Sequence, residues 1–425
     1  MNPILLKDIS NLVTCCHFDT SPKKGKSLND IGLVNNGAVL INNSRILYSG
    51  KMDKLGYFLK KYKIPASEIS EIDCSKKTVL PGFVDCHTHF VFSGSRANEY
   101  EMRISGKTYE QIAKSGGGIS ATVNSVRKTS LKKLKEITER RLTNFLKYGT
   151  TTIEGKSGYG LDLSNEIKML KVINDLNKNN IYGLDLIPTF LGAHSIPAER
   201  TKKDYVEYII REMIPAVSKK QLAVFIDVFC ERNYFSAEET EKILFEGKKF
   251  GLLPKLHTDQ FYSTGGIEAA INTACVSVDH LEVINDKDIN KLRDKNIVAV
   301  MLPGVSYFLD IKYAPARKLI EKNVPVALAT DFNPGSCMTE NMQIIMSLAS
   351  LKLKMTAEEI INSVTINPAF ALQMQNKTGS IQQGKQADLI IFDFDSYKEL
   401  IYHFGVNQLL TVMKKGKVYK TSDLG

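Results

Sequence analysis

The pattern of hydrophobic and polar positions divides the chain into β-rich ends and a mixed middle. Near the start, short apolar runs such as residues 38–41 are separated by Asn-Asn and Ser-Gly pairs, which are typical turn residues. The end returns to this pattern, with a run of buried-strand type at residues 387–393. We therefore predict a small β-sandwich domain built from both termini, residues 1–78 and 373–425.

The middle of the chain, residues 79–372, alternates apolar runs with amphipathic stretches. In residues 132–146, for example, apolar positions recur at the three-and-four spacing of a helix. Eight apolar runs have the character of buried strands, and they are residues 80–84, 151–154, 184–190, 222–229, 252–256, 274–278, 297–301 and 326–329. This alternation predicts an α/β fold, a (β/α)8 TIM-like barrel, whose functional site lies at the C-terminal ends of the strands. A doubly wound open sheet is the alternative.

Composition narrows the class of protein. The chain is 43% hydrophobic and 24% charged, which is typical of a globular protein and excludes a disordered one. The net charge of +10 is spread along the chain, so nucleic-acid binding is not indicated. The seven cysteines form no C-x-x-C pair, which favours reduced thiols. Since no apolar run reaches about 18 residues and no secretory leader is evident, we expect a cytoplasmic protein without membrane contact.

Histidines follow several of the predicted barrel strands directly. His87 and His89 come after the first strand, where residues two apart in an extended segment point to the same side. His257 closes the fifth predicted strand, His280 the sixth, and Asp331 the eighth. Because the C-terminal ends of barrel strands meet at one rim, these side chains are expected to converge.

The converging residues have the chemistry of a metal site. Imidazoles from His87, His89 and His257 with the carboxylate of Asp331 form a nitrogen and oxygen set that suits Zn²⁺, with iron as the alternative. One coordination position would remain for water, whose pKa such a metal lowers to about 7. His280 and Asp331 are the predicted catalytic residues, because each can carry a proton during hydrolysis.

The order of these motifs resembles the amidohydrolase superfamily. It comprises PGFVDCHTH at residues 81–89, a His after strand five, a His after strand six and an Asp after strand eight. Within that superfamily, longer segments resemble the imidazolonepropionase family, and they are CHTHFVFSGSRANEYEMRISGKTYEQIAKSGGGI, EGKSGYGLD, PTFLGAHSIP, DVFCERNYFS and LATDFNPGS. The resemblance spans nearly the entire chain.

The resemblance implies a reaction and a set of binding residues. Members of this family open a five-membered lactam that carries a propionate arm, giving N-formimidoyl-L-glutamate, with one Zn²⁺ or Fe²⁺/Fe³⁺ per subunit. The resemblance implies a small anionic substrate and, separately, a homodimer. The positions that match the family's substrate and product contacts are Arg96, Tyr159, His194, Gln260, Asn333, Gly335 and Ser336. Among them, the guanidinium of Arg96 has the forked donors that suit the propionate carboxylate.

Other interpretations stay open at this point. A different amidohydrolase, such as a deaminase of guanine or another cyclic amidine, would use the same rim, and a barrel without catalysis could serve as a binding protein. Cys230 and Glu231, at the end of strand four, resemble the family pattern and favour one metal, with Glu231 left as a candidate ligand of a second. For Lys156, after strand two, we expect a structural or electrostatic role.

Overall fold

A computed structural model describes residues 3–107, 111, 117–293 and 295–424. Part of the longest family-like segment, residues 108–110 and 112–116, lies outside the described residues. Among the residues that are described, no helix combines the length and the apolar character needed to cross a membrane.

Within the described residues, eight parallel strands form a nearly closed barrel. Their bounds are Phe83–Asp85, Thr150–Lys156, Asp185–Ala193, Phe225–Cys230, Leu253–Thr258, Ser277–His280, Val298–Met301 and Val326–Leu328. We refer to them as barrel strands one to eight. Each strand pairs with the next one in the sequence, so the (β/α)8 prediction is confirmed and the doubly wound open sheet is wrong.

The barrel closes through residues that lie just beyond strands one and eight. Thr88 forms a parallel bridge with Phe332. The Asp331 amide donates a hydrogen bond to the His87 carbonyl over 3.0 Å, and the His89 amide donates to the Phe332 carbonyl over 3.0 Å. Three of the predicted metal ligands therefore lie on the closing seam, where backbone hydrogen bonds fix their positions.

The first predicted barrel strand is two strands in different sheets. Residues 80–84 were expected to form one run, but Thr78–Pro81 ends before Phe83–Asp85 begins. Thr78–Pro81 pairs antiparallel with Leu389–Phe392, whereas Phe83–Asp85 starts the barrel. Only Gly82 separates the two strands: its amide still donates to the Asp388 carbonyl over 3.0 Å, whereas the Phe83 amide donates to the Gly149 carbonyl beside barrel strand two over 2.9 Å. The chain thus passes directly from the terminal sheet into the barrel.

The two ends of the chain share a mixed sheet, with eight strands in the part of the protein that the structure describes. These strands are Ile4–Val13, Leu33–Asn42, Arg45–Lys51, Ser70–Asp73, Thr78–Pro81, Leu389–Phe392, Leu409–Lys414 and Lys417–Lys420. Leu389–Phe392 joins the C-terminal strands to the N-terminal ones through Thr78–Pro81. A small β unit built from both termini is therefore confirmed, while the domain limits given above stay a prediction.

Helices connect the barrel strands and contribute their apolar faces to the core. The described helices are Leu55–Tyr62, Ala97–Ile104, Ile119–Lys128, Leu131–Lys147, Leu163–Asn179, Lys202–Tyr208, Ile214–Lys219, Ala237–Lys249, Gly266–Thr273, Asp286–Leu292, Pro303–Leu309, Ala316–Glu321, Met342–Leu353, Ala357–Ser363, Ile366–Ala371 and Glu399–Tyr402. Leu131–Lys147 matches the stretch predicted from its spacing. It begins after the N-cap Ser130 and buries Leu134, Leu142 and Phe145 on one face.

Candidate active site

Five polar side chains from the ends of four barrel strands converge at the C-terminal rim. The ligand atoms of His87, His89 and Asp331 lie within 4.8 Å of one another, as do those of His87, His257 and His280. Asp331 Oδ1 is 3.5 Å from His87 Nε2 and 3.4 Å from His89 Nε2. His87 belongs to both groups, so the four predicted ligands adjoin one another, although among the described residues no single group within 4.8 Å contains all four. The fold also brings a ring nitrogen of His280, which is predicted to carry protons, within 4.8 Å of ring nitrogens of His87 and His257.

Several atoms at this centre are buried and unpaired. Among the described residues, none forms a hydrogen bond with His87 Nε2, His257 Nε2 or Asp331 Oδ1. Buried polar atoms are normally paired, so unpaired atoms that face one another indicate a missing partner. Imidazole nitrogen and carboxylate oxygen are ligands of Zn²⁺ and of iron. These residues therefore fit one divalent metal ion.

Carboxylates behind the histidines determine which imidazole nitrogen faces the centre. His87 Nδ1 donates a hydrogen bond to Asp279 Oδ2 over 2.6 Å, which leaves a lone pair on Nε2. His257 Nδ1 lies 3.0 Å from Asp227 Oδ2, an arrangement that selects the same tautomer. Burial and the nearby Lys156 hold the pKa of His87 well below its ordinary value. Its imidazole is thus neutral, as metal binding requires.

His280 and Asp331 have rare backbone φ angles and side-chain pKa values that differ from the ordinary ones. Their φ angles are 87° and 48°, in the left-handed region that side-chain-bearing residues rarely adopt. Burial raises the pKa of Asp331 to about 6, although His280 and Asn333 act in the opposite direction. Burial would lower the pKa of His280, but Glu282, whose Oε1 lies 3.4 Å from His280 Nδ1, helps to raise it overall. A pKa of about 6 for Asp331 and a raised pKa for His280 suit proton transfer near neutral pH.

The centre opens into a cavity of about 360 Å³. All seven residues predicted to contact substrate or product line it, and they are Arg96, Tyr159, His194, Gln260, Asn333, Gly335 and Ser336. The same cavity reaches His89, His257, His280 and Asp331. A small molecule bound there would lie beside the cluster of histidines.

Arg96 is held on one edge and directed into the cavity. Its Nε and Nη2 atoms each lie 2.8 Å from Glu99 Oε2, and the same oxygen accepts a hydrogen bond from the Gly118 amide over 3.0 Å. Arg96 Nη1 packs closely against the backbone of Gly335. Glu99 therefore fixes the orientation of the guanidinium and leaves Nη1 on the side of the loop that contains Gly335.

His194 is oriented by the backbone of the loop after strand two. Its Nδ1 lies 3.1 Å from the Gly158 carbonyl, which can only accept, so Nδ1 carries the hydrogen and Nε2 is an acceptor. Burial lowers the pKa of His194 to about 3, and its ring stacks on His89 with centroids 5.0 Å apart. The buried Tyr159 ring lies 5.4 Å from that of His194. Together they form one wall of the cavity.

The loop after strand eight is organised by the side chain of Asn333. Its Oδ1 accepts hydrogen bonds from the amides of Gly335 and Ser336, each over 2.8 Å. Its Nδ2 donates to the Asp331 carbonyl over 2.7 Å. The three predicted loop residues thus form one rigid unit attached to Asp331.

Comparisons with known proteins agree with this geometry. Residues 236–419 match the model of the Amidohydrolase family. The chain is 43% identical to the imidazolonepropionase of Geobacillus sp. (strain WCH70), over 98% of each chain. It is 45% identical to that of Thermoanaerobacter pseudethanolicus, over 97% of this chain and 96% of the relative. The chain belongs to the imidazolonepropionase family. Its enzymatic class is that of hydrolases acting on cyclic amide C–N bonds.

Solved structures with the same fold are more distant. Guanine deaminase of E. coli superposes with a TM-score of 0.71 at 15% identity, over 99% of both chains. A zinc-bound adenosine deaminase from Xanthomonas campestris gives a TM-score of 0.71 at 16% identity, over 99% of this chain and 95% of the other. At such identities the likeness concerns the fold alone, which is the barrel with its small β unit.

In this imidazolonepropionase-family chain, both carboxylate oxygens of Glu231 accept hydrogen bonds from backbone amides, unlike those of a ligand for a second metal. Its Oε1 accepts a hydrogen bond from the Arg232 amide over 2.6 Å. Its Oε2 accepts from the amides of Phe261 and Tyr262 over 2.9 Å and 3.1 Å. Within the described part of the chain, neither group of clustered ligands includes Glu231. Glu231 thus ties the end of strand four to the loop that follows Gln260.

Sequence reasoning gave Lys156 a structural or electrostatic role but missed its partners in a set of buried charges beneath the histidines. We call it the charge cluster, and it consists of Glu154, Lys156, Asp227, Lys255 and Asp279, all fully buried. A signal was present, because each of these charged residues lies in a buried barrel strand, where a charge requires a partner. The pairing itself depends on how distant strands are placed around the barrel.

Proposed function

We propose that this chain hydrolyses 4-imidazolone-5-propanoate to N-formimidoyl-L-glutamate, a reaction of histidine degradation. One observation carries this assignment: every residue at a substrate position of the family lines a single cavity beside the histidine and aspartate centre. The names of relatives that are 41–45% identical over nearly the full chain support it. A cytoplasmic location and a homodimer stay predictions.

The metal would be held by His87, His89, His257 and Asp331. The unpaired atoms at this centre support that choice, and Zn²⁺ and iron both suit the donor set. When bound, the metal lowers the pKa of water and polarises the ring carbonyl.

The cavity residues would hold the substrate by its two ends. Arg96 binds the propionate carboxylate, for which a fixed guanidinium offers charge and paired donors. His194 accepts a hydrogen bond from a ring N–H through Nε2, because its Nδ1 hydrogen is engaged by Gly158. Tyr159 and Gln260 pack beside the ring. This placement turns the ring carbonyl toward the histidines and reduces the entropy cost of reaction.

Asp331 and His280 would carry the protons. Asp331 accepts a proton from the attacking water, whose oxygen bonds to the carbonyl carbon. The bond from that carbon to the ring nitrogen then breaks, and His280 delivers a proton to the departing nitrogen. The proton taken up by Asp331 replaces the one that His280 gave, so both residues return to their starting states. The carbonyl carbon becomes a carboxylate and the nitrogen ends the formimidoyl group, so one water is consumed. Asn333, with the amides of its loop, contacts the product.

The assignment is tested with purified, metal-loaded protein and imidazolone propionate. We expect loss of the ultraviolet absorbance of the substrate, and we expect Arg96→Ala to reduce turnover far more than it changes metal content. Arg211→Ala is the matched control, because Arg211 is exposed and pairs only with nearby Glu207 in the described contacts. Absence of turnover by fully metallated wild-type protein would refute the proposal.

Deamination of a purine or cyclic amidine is the alternative reaction, since deaminases share this fold. It releases ammonia, whereas opening the imidazolone ring releases none. Ammonia from a panel of purines and pyrimidines, with imidazolone propionate untouched, would favour a deaminase. A barrel that binds no metal and turns over neither class would be a binding protein.

A further inference from the structure

Directly beneath the candidate metal centre, one lysine contacts the carboxylates behind two of the histidines. Lys156 Nζ lies 2.7 Å from Asp227 Oδ2 and 3.5 Å from Asp279 Oδ2. The same Asp227 oxygen is 3.0 Å from His257 Nδ1, and the same Asp279 oxygen is 2.6 Å from His87 Nδ1. A single ammonium group is therefore shared by both carboxylates that orient a proposed ligand.

Lys156 supplies one of the two positive charges that balance the carboxylates of the charge cluster. Glu154, Asp227 and Asp279 supply three carboxylates, while Lys156 and Lys255 supply two ammonium groups, and all are out of contact with solvent. Burial alone would lower the pKa of Lys156, but Asp227, Glu154 and Asp279 raise it above its ordinary value. Lys156 is thus charged. Without it, neither Asp227 nor Asp279 would have a lysine ammonium group within 4 Å among the described residues.

We propose that Lys156 is a positioning residue for metal binding, which holds Asp227 and Asp279 so that His257 and His87 present Nε2 to the same ion. Outer partners of this kind fix the ring orientation and tautomer of metal-binding histidines. The inference rests on the metal ligands of the proposed function, but it does not depend on the identity of the substrate.

A general structural role for Lys156 is the competing explanation, and the chain offers a matched control for it. Lys255 is equally buried and belongs to the same charge cluster. Its Nζ contacts Glu154 Oε2 over 2.7 Å and the Cys86 carbonyl over 3.0 Å. Replacing either lysine by methionine removes one buried positive charge and keeps a side chain of similar length. Of the two lysines, Lys156 alone lies within 4 Å of both aspartates that orient His257 and His87, whereas Lys255 acts on Asp279 from farther away.

The test compares Lys156→Met and Lys255→Met as full-length proteins stripped of metal. Zn²⁺ affinity is measured by competition with a chromophoric chelator, without substrate, and stability by thermal unfolding of the metal-free form. We expect Lys156→Met to weaken Zn²⁺ binding by about 10- to 100-fold, as loss of an outer partner does. Lys255→Met should lower stability comparably and leave affinity within about threefold. Equal affinity losses in both variants, or none in Lys156→Met, would overturn the proposal.

A second variant covers the case in which Lys156→Met does not fold. Lys156→Gln keeps a donor for Asp227 but lacks the charge, so we expect a smaller yet measurable loss of Zn²⁺ affinity. Wild-type affinity in Lys156→Gln would overturn the proposal. The visible absorption of Co²⁺-loaded protein reports ligand geometry and should change in the same variant. Wild-type protein that binds metal but leaves imidazolone propionate intact would refute the substrate assignment alone.

Discussion

The substitution Gly335→Ala adds one methyl group beside Arg96. A Cβ atom at this position would overlap Arg96 Nη1 and lie 3.0 Å from Cζ, whereas ordinary contacts begin at 3.4 Å. The guanidinium must therefore move by about 1 Å or the loop must shift. Movement of Arg96 is opposed by Glu99, which holds Nε and Nη2 at 2.8 Å and is itself bound to the Gly118 amide.

The expected magnitude follows from what Arg96 contributes to binding. A hydrogen bond to a charged group is worth about 1.5–3 kcal/mol, which corresponds to roughly 10- to 150-fold in kcat/KM. A displacement of about 1 Å is enough to lose most of it. Because the propionate lies away from the bond that breaks, the loss should appear mainly in KM. We therefore expect Gly335→Ala to raise KM by about 10- to 100-fold with a smaller change in kcat.

The assay is steady-state loss of substrate absorbance, with metal content determined on the same samples. Gly56→Ala is the control, because a methyl group added there meets no atom within 4 Å. It should leave both kinetic constants unchanged. A KM within twofold of wild type in Gly335→Ala, or a parallel loss of metal, would refute the assignment of Arg96 as the carboxylate-binding residue.

Three other changes have defined outcomes. Arg96→Met should raise KM at least as far as Gly335→Ala, and unchanged KM would contradict it. Chelation should abolish turnover, and one equivalent of Zn²⁺ or Fe²⁺ per chain should restore it; a requirement for two would argue for a second metal. Lys414→Met removes an ammonium group that lies 2.7 Å from buried Asp185 and 2.9 Å from buried Asp388, while Asp185 keeps Lys377 and Lys415 at 3.0 Å and 3.1 Å. The free energy of unfolding should therefore fall by about 1.5–3 kcal/mol at pH 7, the value of a hydrogen bond to a charged group. Burial would raise the pKa of Asp185, but Lys414 and nearby lysines lower it overall. In denaturant titrations, the difference in free energy of unfolding between wild type and Lys414→Met should therefore shrink as pH falls below about 4. A difference that stays constant with pH would contradict this prediction.

The parts of the site that follow a simple rule could be predicted from the sequence. His87, His89 and Asp331 follow barrel strands one and eight within four residues, His257 lies at the end of strand five, and parallel strands of a barrel end at one rim. Their convergence needed only the order of strands and the direction of the chain. The substrate positions, in contrast, came from resemblance to the family, since a lone Arg96 or His194 has no such positional signal.

The partners of these residues could not be predicted in the same way. Lys156 and Asp227 are 71 positions apart, and their contact depends on the placement of strands two and four in the closed barrel. The break between Thr78–Pro81 and Phe83–Asp85 depends likewise on which sheet supplies hydrogen-bond partners, because both strands are apolar. In the sequence, Glu99 does not differ from other helix residues, and its role follows only from its contacts with Arg96 and Gly118 in the fold.

Analysis of the reaction products distinguishes ring opening from deamination. Fully metallated protein is incubated with imidazolone propionate, and the products are identified by mass spectrometry alongside an ammonia assay. We expect one product, N-formimidoyl-L-glutamate, heavier than the substrate by one water, with no ammonia released. Unchanged substrate, or a product formed with loss of ammonia, would contradict this expectation.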